Sequence, residues 1–124
     1  MYSYPEEHEL LSLFECEPKL YDAYTENLPF FYNQATYEFS NQTEHFIVTL
    51  SPSYEEVRIQ VSDASSNELL TYLDLKRVDK FEIVADKKDH SSVLLTIQND
   101  DTLQTLEIDF KPRFKLILKE HNMR

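Results

Sequence analysis

The chain is 124 residues long, 41% hydrophobic and carries a formal net charge of −11, which bounds it to one soluble globular domain of ordinary size. That charge excludes a general nucleic-acid binder and a protein that docks on anionic membranes, since both need a basic face. A single cysteine, Cys16, excludes an internal disulfide framework and a multi-cysteine zinc site. The absence of glycine excludes phosphate-cradling loops, dinucleotide fingerprints and the GxSxG nucleophile elbow.

The opening residues, Met1-Tyr2-Ser3-Tyr4-Pro5-Glu6-Glu7, carry neither a basic nor a long apolar leader, so a cytoplasmic location is expected. Pro5 suits the first position of a helix, with Ser3 or Tyr4 as its cap and Glu6, Glu7 and Glu9 near the positive end of the dipole. Leu10, Leu11, Leu13 and Phe14 make an apolar stripe and Pro18 a stop, so the spacing predicts a helix over 5–15. Residues 16–34 lack a clean period. They read as an irregular acidic and aromatic segment, or as a strand followed by a loop.

From 35 to 119 period-2 alternation dominates. Phe46, Val48 and Leu50 share one face, as do Val57, Ile59 and Val61, with His45, Arg58 and Gln60 turned outward. Leu69 to Leu75 fits a helical turn and a strand equally well. Phe81, Ile83 and Ala85 alternate again, and Asp86-Lys87-Lys88-Asp89 reads as a hairpin turn. Val93, Leu95 and Ile97 are expected to pair with Leu106, Ile108 and Phe110 across Asn99-Asp100-Asp101, and Phe114, Leu116 and Leu118 form the last strand. The connections are too short for parallel crossovers. The fold class expected is mainly β (α+β by strict count): a single domain over 1–124, with one N-terminal helix and six to eight antiparallel strands in a bent sheet or sandwich.

No catalytic constellation stands out. His8, His45, His90 and His121 are scattered, with His90 in a turn and His121 in the tail, and no two have metal-ligand spacing. Cys16 beside a helix end reads as a small hydrophobe, because nothing nearby orients a base for it. Asp100-Asp101 reads as a turn former, and Asn41-Gln42-Thr43 as a chance sequon. The expectation is therefore a non-enzymatic protein with no cofactor, no metal and no catalytic residue.

The charge is unevenly distributed. Residues 1–57 hold eleven acids and one base, Lys19, whereas residues 58–124 hold twelve acids and eleven bases. Twelve of the sixteen aromatic residues also lie in the first 57. Between Glu15 and Phe39 the carboxylates alternate with rings, although Phe30, Phe31 and Phe39 are as easily core. Tyrosines anchor protein interfaces at small entropic cost, and carboxylates around them steer and select a basic partner. Glu15, Glu17, Tyr21, Asp22, Tyr24, Glu26 and Tyr32 are the candidate contacts for such a partner.

Leu10-Leu11-Ser12-Leu13-Phe14, then Pro18 and Tyr21-Asp22-Ala23, resembles the opening of the small bacterial immunity proteins of polymorphic toxin systems. In that family a His-Asp-Ala-type segment follows the proline. Val57-Arg58-Ile59-Gln60-Val61-Ser62-Asp63, Phe81-Glu82-Ile83 and Leu106-Glu107-Ile108-Asp109-Phe110 are similar to its central and closing strands. The resemblance implies a cytoplasmic antidote that binds and neutralises a toxin domain, often a nuclease, encoded beside it. A related alternative is a phage or mobile-element nucleic-acid mimic that blocks a host nuclease; alternatives from other classes are a small ligand-binding β-domain or enzyme, and a structural adaptor subunit.

Overall fold

The computed structural model describes residues 3–20 and 34–122. Helix α1 (Glu7–Phe14) starts two residues later than the sequence predicts. Glu6, not Ser3 or Tyr4, is its cap, and Pro5 stands outside the helix. Glu6 and Glu9 close a capping box in which the Glu6 N–H donates to Glu9 Oε1 at 2.8 Å, so a glutamate replaces the usual hydroxyl residue. The helix ends at Glu15, whose φ of 56° is left-handed and whose N–H donates to the Leu11 carbonyl. Leu10, Leu13 and Phe14 turn inward, and Leu11 stays 43% exposed.

Among the described residues, nine strands make two antiparallel meanders. The first sheet runs in order β1 (Lys19–Leu20), β2 (Ala35–Ser40), β3 (Glu44–Ser51), β4 (Glu56–Asp63) and β5 (Leu69–Leu75). The second runs β6 (Val78–Lys87), β7 (His90–Gln98), β8 (Thr102–Lys111) and β9 (Lys115–Asn122). The mainly-β fold with one N-terminal helix is thus the one expected, as the two-sheet alternative rather than one bent sheet. The strand beyond the predicted eight is the two-residue β1, in the stretch that the sequence left open.

Leu69–Leu75 is a strand because β4 offers it a partner: Leu73 lies opposite Ile59 and Leu75 opposite Val57. A register shift at Val61/Ser62 puts Leu69 opposite Ser62 and leaves Leu70 without an opposite number, which explains the spurious helical spacing. Val93 pairs with Ile108 and Leu95 with Leu106, as predicted. Ile97 instead faces Gln104, and a shift at Ser91/Ser92 takes Phe110 out of the simple count. The turn between β6 and β7 is Lys88-Asp89, so His90 opens β7 opposite Lys87 rather than lying in the turn. His121 is not in a tail. It sits in β9 opposite Leu103, with its Nε2 3.2 Å from Thr105 Oγ1.

The inward faces of both sheets share one core with α1. Tyr37, Phe46, Val48, Leu50, Val57, Ile59 and Val61 come from the first sheet, and Phe81, Val93, Leu95, Ile108 and Phe110 from the second. Phe14 stacks on Phe39 at 4.8 Å, Phe39 on Phe46 at 5.1 Å, and Phe110 meets Phe46 edge-on at 5.3 Å. This aromatic column ties helix to both sheets, and each ring pair adds about 0.5–1.5 kcal/mol beyond its buried area. Ser3 supplies one parallel rung to β6: its N–H donates to the Asp79 carbonyl at 2.6 Å, and the Phe81 N–H donates to the Ser3 carbonyl at 2.8 Å. No helix among the described residues is long and apolar enough to cross a membrane.

Candidate functional site

The outer face of α1 collects negative charge for a local reason. Acidic residues are favoured in a first helical turn, where the backbone N–H groups are unpaired, and here Glu6, Glu7 and Glu9 occupy it. The chain then leaves the helix at Glu15 and returns through Pro18 into β1, setting Glu17 across from the helix. Between them lies an open groove of about 680 Å³, lined by Glu6, Glu7, His8, Leu11, Glu17, Pro18 and Leu20. Three carboxylates, one imidazole and a partly exposed leucine thus border a single concave surface. Chemically this can take a cationic side chain alongside an apolar one. Among the described residues its lining offers no nucleophile.

Two of the sequence-predicted contacts can be placed. Glu17 is exposed and lines the groove. Glu15 does not line it. Its Oε2 accepts from Lys111 Nζ at 2.7 Å, and the lysine side chain is only 18% exposed. This pair ties the end of α1 to β8, so the Glu15 charge is matched inside the molecule. Ser12 Oγ adds a second tie by donating to Asp86 Oδ2 at 2.7 Å. Tyr21, Asp22, Tyr24, Glu26 and Tyr32 lie outside the described residues, as do Phe30 and Phe31. Phe39 packs on the core through the column above.

Cys16 is half-buried beside the same region. Burial pushes its thiol up, against the opposing hydrogen bond from the Glu38 backbone, so it is held as a neutral thiol. Asn41 is a turn builder rather than an idle sequon residue. Its Oδ1 accepts from the Thr43 and Glu44 N–H groups, and its Nδ2 donates to Glu44 Oε1 and to the Phe110 carbonyl.

Sequence reasoning missed one polar chain. His45 turns outward as predicted, but its Nε2 is 2.7 Å from Glu38 Oε2 and its Nδ1 is 2.8 Å from Ser40 Oγ. The signal was the Asn41 turn: it sets Ser40 opposite His45, and Glu38 then falls two residues away on the same face. A serine, a histidine and an acid in line invite a hydrolase reading. All three lie open to solvent on the sheet's outer face, outside the enclosed setting that general-base chemistry needs, so the chain reads as cross-strand pairing. Ser40 also touches a cavity of about 700 Å³ among the hairpin ends, with Asn41, Gln42, Lys88, Asp89, Lys111 and Pro112. Asn41 and Lys111 are already engaged by Glu44 and Glu15. Among the described residues no group of three or more His, Cys, Asp or Glu side chains could hold a metal ion.

The architecture is that of a two-sheet antiparallel sandwich carrying an acidic helix on one side. Neither a protein-family model nor a curated protein sequence matches the chain. Comparison with solved structures finds the same fold in a chain of a contact-dependent growth inhibition toxin–immunity protein complex from Klebsiella pneumoniae 342. The TM-score is 0.72 at 18% sequence identity, over 97% of this chain and 96% of that one. The likeness shows a shared fold over almost the whole length of both chains.

Proposed function

We propose that this protein is a non-enzymatic inhibitor of the immunity-protein kind, which binds a toxin domain and blocks it by occupation. The observation that carries the reading is the whole-length likeness to a chain of a toxin–immunity complex. The acidic groove supplies the chemistry. A nuclease-type toxin binds a polyanion and so presents a basic cleft. Carboxylates at Glu6, Glu7 and Glu17, continued by Asp22 and Glu26, would fill the phosphate positions of such a cleft, with Tyr21, Tyr24 and Tyr32 as anchors. An inhibitor of this kind needs no catalytic group of its own and acts where the toxin arrives, in the cytoplasm.

The test is co-purification with the product of the neighbouring gene, repeated across a salt series. The complex should form, weaken as salt rises, and lose affinity when Asp22 and Glu26, or Glu7 and Glu17, are reversed to lysine. Binding that ignores both salt and these reversals excludes acidic docking. Reproducible lack of an adjacent toxin gene counts against the inhibitor reading itself.

A further inference from the structure

We infer that the edge of β5, unpaired among the described residues, is a self-association strand, along which two copies of this chain pair antiparallel and join their first sheets. Sheet edges attract other strands unless something blunts them. Among the described residues the other three edges are blunted. β1 is two residues long, β6 carries the Ser3 rung, and β9 bears Lys115, Lys119, Glu120 and His121. β5 carries one bulge, at Leu70, and one charge, Asp74, but is otherwise open. It is seven residues long, has no lysine or proline, and exposes Leu69 at 56%, Leu70 at 52% and Tyr72 at 49%.

The charges at its ends favour a second copy as the occupant. Glu68 precedes the strand and Lys76 follows it, and both are exposed. Two strands paired antiparallel about an axis through Tyr72 set each Glu68 beside the other copy's Lys76, with Tyr72 meeting its own counterpart. The pattern is self-complementary, as an isologous contact requires. Lys76 Nζ already lies 3.2 Å from Glu56 and 3.4 Å from Asp74, yet its side chain is 56% exposed and an ammonium has three donors. This pairing is independent of the toxin-binding reading, which uses α1.

Sedimentation equilibrium of the full chain over a wide concentration range tests it. The apparent mass should climb from 14.8 kDa toward twice that value. Leu70→Lys combined with Tyr72→Lys should keep the protein monomeric with an unchanged circular dichroism spectrum, since both side chains are already exposed. Glu68→Lys should weaken the dimer by about tenfold, and adding Lys76→Glu should restore most of that loss. A chain that stays monomeric throughout overturns the inference. So does a dimer indifferent to the Leu70 and Tyr72 changes, or a monomer that uses this edge for a different protein.

Discussion

Asn41 and Glu44 bridge the two sheets at one end of the sandwich. Asn41 Nδ2 donates to Glu44 Oε1 at 2.8 Å, and that same carboxylate oxygen accepts the Phe114 N–H at 3.1 Å from the far side of the β8–β9 turn. Asn41 Nδ2 also donates to the Phe110 carbonyl at 2.8 Å. Asn41→Ala should cost about 2 kcal/mol in urea unfolding, and its double-mutant cycle with Glu44→Ala should show a coupling of about 1 kcal/mol. Strict additivity would mean that the two side chains act independently.

Glu44 also predicts an acid limb. Partial burial pushes its carboxyl up, but hydrogen bonds from Asn41, the Phe114 amide and Thr43, with the Arg113 charge, outweigh that and hold it below its ordinary 4.5. A lowered folded pKa stabilises above the unfolded value and is lost as pH falls through the folded one. Stability should therefore drop below about pH 4.5, and Glu44→Gln should flatten that part of the curve. An unchanged slope in the variant would assign the acid limb to other carboxylates.

Phe14 is the joint between α1 and the aromatic column, meeting Phe39 at 4.8 Å and Phe110 at 5.6 Å. Phe14→Ala should cost about 3–5 kcal/mol, and Phe14→Leu no more than about 1.5 kcal/mol. Thermal melts of both variants check this, and equal losses would point to a specific ring geometry rather than filled volume.

Tyr37 is fully buried, and its hydroxyl has no hydrogen-bond partner among the described residues. Tyr37→Phe removes a polar atom that loses its hydration on folding, and should leave stability equal or raise it by about 1 kcal/mol. A destabilisation of that size would instead reveal a bond made by the hydroxyl.

Cys16 should react with maleimide or disulfide reagents far more slowly in the native protein than in urea. Burial both shields the sulfur and holds its thiol up, leaving little thiolate near neutral pH. Labelling at the unfolded rate would show an open and ionised thiol.

Alternating faces were legible where a strand has one wetter and one dry side, as Val57–Val61 does. The helix stripe from Leu10 to Phe14 was legible for the same reason. Leu69–Leu75 was not, since a bulge breaks the alternation where Leu69 and Leu70 stand together. The helix start was misread because Pro5 and the hydroxyl of Ser3 are stronger local signals than a glutamate cap. Of the candidate contacts, Glu17 lines the groove, whereas Glu15 pairs with Lys111, 96 residues away in the chain, a partner that local sequence does not announce. The Glu38–His45–Ser40 chain required knowing the hairpin register.

Each sheet is drawn from one uninterrupted stretch of chain, residues 19–75 and then 78–122, and within each every strand pairs with its neighbour in sequence. Most of the backbone pairing therefore closes small loops, which is entropically cheap and fast. The inward faces of the two meanders share one core, with α1 packed on one side of it.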